Sequence, residues 1–266
     1  MKLFKRKEKI IEPEIHESEE NKTFYEGAHI LHGCKNIALC GSAVVLESTD
    51  TTYTTLTERA KIKVLHNGSI NSVQDSCKIE LMESGTIGKV IDNASIVTIN
   101  NCEIDYVSDR VRIGTLNNGI IKFLEGRAYI QTVNNCQMFF VRENAKIGTL
   151  VNGNIIGLTD DAQITTVNHG KINYLLNRAQ IGSMNMGDIL EMCDSCEIGT
   201  FGGGNISRIM GYAIIGQKIG GRVKEKTGNA MILYSQKPAK ANNKNSNKKS
   251  VQVKLEQSTL DEKEGV

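Results

Sequence analysis

The sequence predicts an all-β fold, a single-stranded parallel β-solenoid of about eleven coils, 17 residues each, wound right-handed over residues 28–220. Isoleucine recurs at an interval of 17 from Ile62 to Ile215 in an unbroken run of ten. Four further positions of each coil hold aliphatic or small residues at the same interval. Between Pro13 and Pro238 the chain has no proline. A continuous ladder needs this, because proline has no N–H to donate.

Taking the isoleucine series as column 0 of the coil, column 3 holds Leu65, Met82, Ile99, Leu116 and their successors. Column 8 holds Ile70, Ile87, Ile104 and Ile121, and column 11 holds Val73, Val90, Val107 and Leu124. Column 15 is small, with Cys77, Ala94, Val111 and Ala128. The pattern fades toward the N-terminus but persists through Val45, Leu56 and Ala60, then Ala28, Leu31, Leu39 and Ala43. Seventeen residues are too few for two helices with their turns. The Ile, Val, Gly and Asn content suits short strands and bends instead. Columns 15 and 0 have the spacing of two inward side chains on one strand. Columns 0 and 3 are three apart, as are 8 and 11, so a bend must fall inside each pair. The coil length is not a multiple of six, unlike that of left-handed hexapeptide helices, which favours the right-handed form.

Column 5 carries Asn67, Asn101, Asn118, Asn135, Asn152 and His169, mostly followed by glycine. Asn-Gly is a turn signal, and stacked Asn amides are expected to hydrogen-bond along the ladder. Column 13 alternates among Asp, Asn, Glu and Gly, as in Asp75, Asp92, Asp109, Gly126, Glu143 and Asp160, which suits a tight turn. Outside the repeat, residues 1–27 read as a disordered tail with a basic start. Residues 221–234 read as a capping strand ending in Met231, Ile232, Leu233 and Tyr234, and 235–266 as a disordered Lys/Asn-rich tail.

Net charge is +2 and the isoelectric point about 8.1, which argues against an obligatory polyanion, so no nucleic-acid partner is expected. Seven cysteines without a signal peptide read as reduced thiols of a cytoplasmic protein. No apolar run approaches the ~18 residues of a spanning helix.

Column 13 would set carboxylates ~5 Å apart, near the separation in retaining glycosidases. Any stacked row has that spacing, however, and nothing local breaks this one, so Asp109 and Glu143 read as turn residues. Cys193-x-x-Cys196 lacks the second pair that zinc would need. Cys102 and Cys136 are two coils apart, too far for a disulfide. His16, His29, His32, His66 and His169 are expected to form no cluster with Cys or carboxylates. No phosphate loop, nucleophile elbow or HExxH occurs. The reading is therefore no catalytic residue, metal, cofactor or small-molecule substrate. The threonine column (Thr98, Thr115, Thr132, Thr149) reads as a stacking ladder. Column 10, with Tyr106, Phe123, Phe140 and Tyr174, is core if it faces in and a lateral-contact stripe if it faces out.

The repeat of aliphatic, glycine and small residues over 28–220, with the start MKLFKRKEKI, resembles the bactofilins, polymer-forming cytoskeletal proteins. That resemblance implies a right-handed β-helix with disordered tails and a self-assembling, non-enzymatic scaffold. It also implies that Leu3, Phe4, Lys5, Arg6 and Lys7 form a membrane-surface segment. Two other functions fit a solenoid: a phage or cell-surface rod that binds a receptor or glycan, and a polysaccharide lyase or hydrolase.

Overall fold

The chain turns back on itself at two left-handed residues per coil. In column 5, Asn101, Asn118, Asn135 and Asn152 have φ of 55°, 51°, 53° and 51°. In column 13, Asp75, Asp92, Asp109 and Asp194 have φ of 58°, 62°, 59° and 62°. Asn and Asp are the side chains that enter this region most readily, which explains their recurrence at these two columns. The structure is a computed structural model that describes residues 12–236. The segment Leu3–Lys7 and nearly all of the 235–266 tail lie outside the described residues.

Two compact units divide at residue 138. The first contains β1 (Glu14–Glu17), β2 (Thr23–Phe24), β3 (Ala28–His32), β4 (Ile37–Leu39), β5 (Val44–Thr49), β6 (Thr52–Leu56), β7 (Lys61–Val73), β8 (Lys78–Val90), β9 (Ser95–Val107), β10 (Arg112–Asn117), β11 (Ile120–Leu124) and β12 (Tyr129–Asn134). β13 (Gln137–Val141) spans the division. The second unit continues with β14 (Lys146–Val151), β15 (Asn154–Leu158), β16 (Gln163–Leu175), β17 (Gln180–Met192), β18 (Glu197–Phe201), β19 (Asn205–Ile209), β20 (Ile214–Lys218), β21 (Arg222–Lys226) and β22 (Met231–Ser235).

Within each unit the described strands pair in parallel with those of the next coil. Ile113 lies beside Ile96 and Ile130 in the first unit, and Ile164 beside Ile147 and Ile181 in the second. The fold is the predicted β-solenoid, with about 13 turns. The pairing passes over columns 1 and 9: Ile113 opposes Ile130 and Thr115 opposes Thr132, while Ile87 opposes Ile104 and Lys89 opposes Tyr106. These are the two bends that let side chains three apart both point inward. Columns 0, 3, 8, 11 and 15 are buried from Ile62 to Ile215. Each fully buried Ile or Leu contributes about 1.5–3 kcal/mol.

Column 6 is buried at Gly68, Cys102, Gly119, Cys136, Gly153 and Gly170 and has little room. A Cβ on Gly119 would lie 2.8 Å from the Cys102 carbonyl oxygen. The cysteines there turn their thiols onto backbone carbonyls, Cys102 to Asn100 at 3.1 Å and Cys136 to Asn134 at 2.9 Å.

The amide ladder forms one column earlier than expected. Asn117 Nδ2 donates to Asn100 Oδ1 and Asn134 Nδ2 to Asn117 Oδ1, both at 2.8 Å, all in column 4. In the second unit Asn185 donates to Asn168 at 2.7 Å. Column 5 is occupied with turning the backbone, and the extended column 4 is where successive amides align.

The solenoid also extends beyond the predicted limits. β1 and β2 precede residue 28 and pair with β3 and β4 at an offset of 15. From β3 to β5 the offset starts at 16 and widens at a bulge after His29. These shorter coils explain the fading repeat. At the other end Ile232 opposes Ile215 and Ala230 is buried, so 221–234 forms a further coil in register.

Candidate functional site

The terminal coils are where the repeat stops satisfying itself. Among the described residues β1 pairs only with β3 and β2 only with β4, while β21 pairs only with β19 and β22 only with β20. The outer edge of each presents backbone donors and acceptors in strand geometry, a template for another strand. The two ends differ in charge. Residues 12–26 hold six glutamates and one lysine, whereas 218–236 hold four cations and one glutamate. On the C-terminal coil Ile219, Met231, Leu233 and Tyr234 are exposed, and on the N-terminal coil Ile15 and Tyr25.

The N-terminal coil also changes what lies in column 0. Ile62 opposes Val45, Val45 opposes His29, and His29 opposes Glu14. The inward isoleucine is thus replaced by an imidazole and then a carboxylate. His16 opposes Leu31 and brings its ring beside His29, with centroids 5.3 Å apart. Phe24 packs against both rings, at 4.7 Å from His16 and 4.4 Å from His29. This corrects the expectation that no histidine clusters with a carboxylate. His16 and His29 are 13 apart in sequence, a spacing that hides their meeting across a short coil.

Column 13 behaves as a turn. The amides of Glu58, Asp75 and Asp92 each donate to the carboxylate of the next coil's aspartate, at 2.8, 3.0 and 3.1 Å. Shallow grooves run between successive turns, one of them lined by Asp92, Asp109, Arg110 and Arg127. One oxygen of each of its two carboxylates, Asp92 Oδ2 and Asp109 Oδ2, is already engaged by a backbone amide.

Column 10 faces outward. Tyr106 and Phe123 are half-buried and adjacent in the first unit, while Phe140 and Tyr174 in the second are 39% and 40% exposed. Gly157 gives Phe140 room, since a Cβ there would meet the Phe140 ring at 2.9 Å. Thr98, Thr115 and Thr132 lie in one register as a ladder, as do Thr149 and Thr166. All seven cysteines are free. Burial pushes the Cys77 and Cys196 thiols up to about 12 and that of Cys102 to about 11, so they are packing groups rather than nucleophiles.

No family model matches this chain, and no curated protein or solved structure matches it either. No helix among the described residues is long and apolar enough to cross a membrane.

Proposed function

We propose that the chain is a non-enzymatic scaffold that polymerises head to tail, its C-terminal coil docking on the N-terminal coil of a second copy. The opposite charge of the two strand edges that are unpaired among the described residues carries this reading. A heterologous contact generates a filament whenever its rotation does not close a ring. The edges supply the ladder, and Ile232 continues column 0 to the interface. Charge attraction between exposed groups is screened within about 8–10 Å at physiological ionic strength, so assembly should weaken with salt. The outward column of Tyr106, Phe123, Phe140 and Tyr174 supports lateral association of such filaments.

Negative-stain electron microscopy with sedimentation tests this. The full chain should form filaments at low ionic strength that shorten as salt rises. The variant Arg222→Glu/Lys224→Glu/Lys226→Glu should stay monomeric with an unchanged β spectrum. Discrete wild-type particles at every salt concentration, or filaments indifferent to the charge reversal, would rule the reading out.

A further inference from the structure

We propose that the N-terminal coil binds a divalent transition-metal ion of the Zn²⁺ class through His16 Nε2, His29 Nδ1 and Glu14 Oε2. The two nitrogens are 3.2 Å apart, and each lies 3.7 Å from the Glu14 oxygen. A triangle with these sides has a circumscribed radius of about 2.1 Å, matching zinc–nitrogen and zinc–carboxylate distances of about 2.0–2.2 Å. An ion can therefore contact all three atoms with almost no movement of the backbone, and water would complete its shell. Two imidazoles and a carboxylate are a donor set that Zn²⁺ and its neighbours accept.

The hydrogen bonds around the rings favour such an ion. His29 Nε2 lies 2.9 Å from the Glu26 carbonyl oxygen, which can only accept, so Nε2 carries the proton and Nδ1 is bare. His16 Nδ1 lies 3.2 Å from Glu19 Oε2, somewhat off the line of a good hydrogen bond. The other oxygen of Glu19 is paired with the Lys22 ammonium at 2.6 Å. His16 Nε2 instead forms a hydrogen bond with His29 Nδ1, so one proton lies between the two rings. An ion bound there would take the place of that single proton between the two nitrogens, 3.2 Å apart. The bond from His29 Nε2 to the Glu26 carbonyl is the kind of second partner that orients a metal-binding imidazole.

Access and rigidity also fit. The side chains of His29 and His16 are 5% and 13% exposed, and Glu14 is 73% exposed, so the site opens through the carboxylate. Phe24 packs against both rings, 4.7 Å from His16 and 4.4 Å from His29.

The test is titration of the full chain with ZnCl₂ against a chromophoric chelator, and with Co²⁺ followed by absorption. One ion per chain is expected, without a thiolate charge-transfer band. Binding should weaken at least tenfold in Glu14→Gln and in His29→Gln, and persist in Cys34→Ser. Zn²⁺ should also raise the melting temperature of the wild type more than that of Glu14→Gln. Glu14 is exposed, so that variant should fold even if His29→Gln does not. Failure to compete with the chelator, a thiolate band, or equal affinity in Glu14→Gln would overturn the proposal. In any of those cases the imidazole pair is holding a proton.

Discussion

The carboxylate of Asp109 accepts a hydrogen bond from the backbone amide of Asp92, Oδ2 to N 3.1 Å, one coil away in the same column. Both residues are left-handed, with φ of 59° and 62°. Each aspartate therefore turns its own coil and caps the amide of the coil before it. Asp109→Ala removes the acceptor and puts an ill-suited residue at positive φ, at an expected cost of about 1–3 kcal/mol in urea unfolding. Asp109→Asn, which keeps both features, should cost less than half as much. Equal losses would mean that the carboxylate contributes nothing to the turn.

Gly85 stands at φ 123°, and a Cβ there would overlap the carbonyl oxygen of Gly68 in the preceding coil. Gly85→Ala must strain the backbone or part the two coils. A destabilisation of about 1–3 kcal/mol or more is expected from the dihedral alone. Thermal unfolding within ~1 °C of wild type would contradict this close approach.

Asn117 is the middle of three stacked amides, donating to Asn100 and accepting from Asn134. Asn117→Ala deletes both bonds, each worth about 0.5–1.5 kcal/mol. Asn118→Ala, in the neighbouring turn column, should act through its positive φ of 51° instead. In a double-mutant cycle, Asn100→Ala should be strongly non-additive with Asn117→Ala and nearly additive with Asn118→Ala.

The buried thiols give a pH dependence with a definite sign. From an ordinary value of 9.0, Cys77 and Cys196 rise to about 12 and Cys102 to about 11 on folding. A group whose pKa is raised in the folded state contributes all its stability below its unfolded pKa. That contribution is lost as pH climbs through the folded value. Stability should therefore fall between pH 9 and about 12. At pH 8 a disulfide reagent should label the half-buried Cys40 and Cys193 first, and all seven cysteines only in denaturant. Rapid native labelling of Cys77 would show that the core opens locally.

Most of the interior was legible residue by residue. Ile113 and Ile130 are neighbours in space because they are one coil apart in sequence. Two features one step from that rule were not. The amides that stack are Asn100, Asn117 and Asn134 rather than Asn101, Asn118 and Asn135. Both runs are equally periodic, and only the backbone torsion distinguishes the turning column from the extended one. At the C-terminus Ile232 and Ala230 keep the period, but Lys226 and Ser235 stand where columns 11 and 3 would be aliphatic, which masks the last coil.

The candidate metal site shows where periodicity ceases to inform. The 17-residue repeat was enough to specify the winding, the five inward aliphatic or small columns and the two turn columns, because translation along a solenoid makes sequence interval and spatial neighbour the same quantity. The meeting of Glu14, His16 and His29 depended on a first coil of 15 rather than 17. There the register is settled by backbone hydrogen bonds and by how Phe24 fills the end of the core. Those are energies of the assembled fold, and no interval along the chain records them.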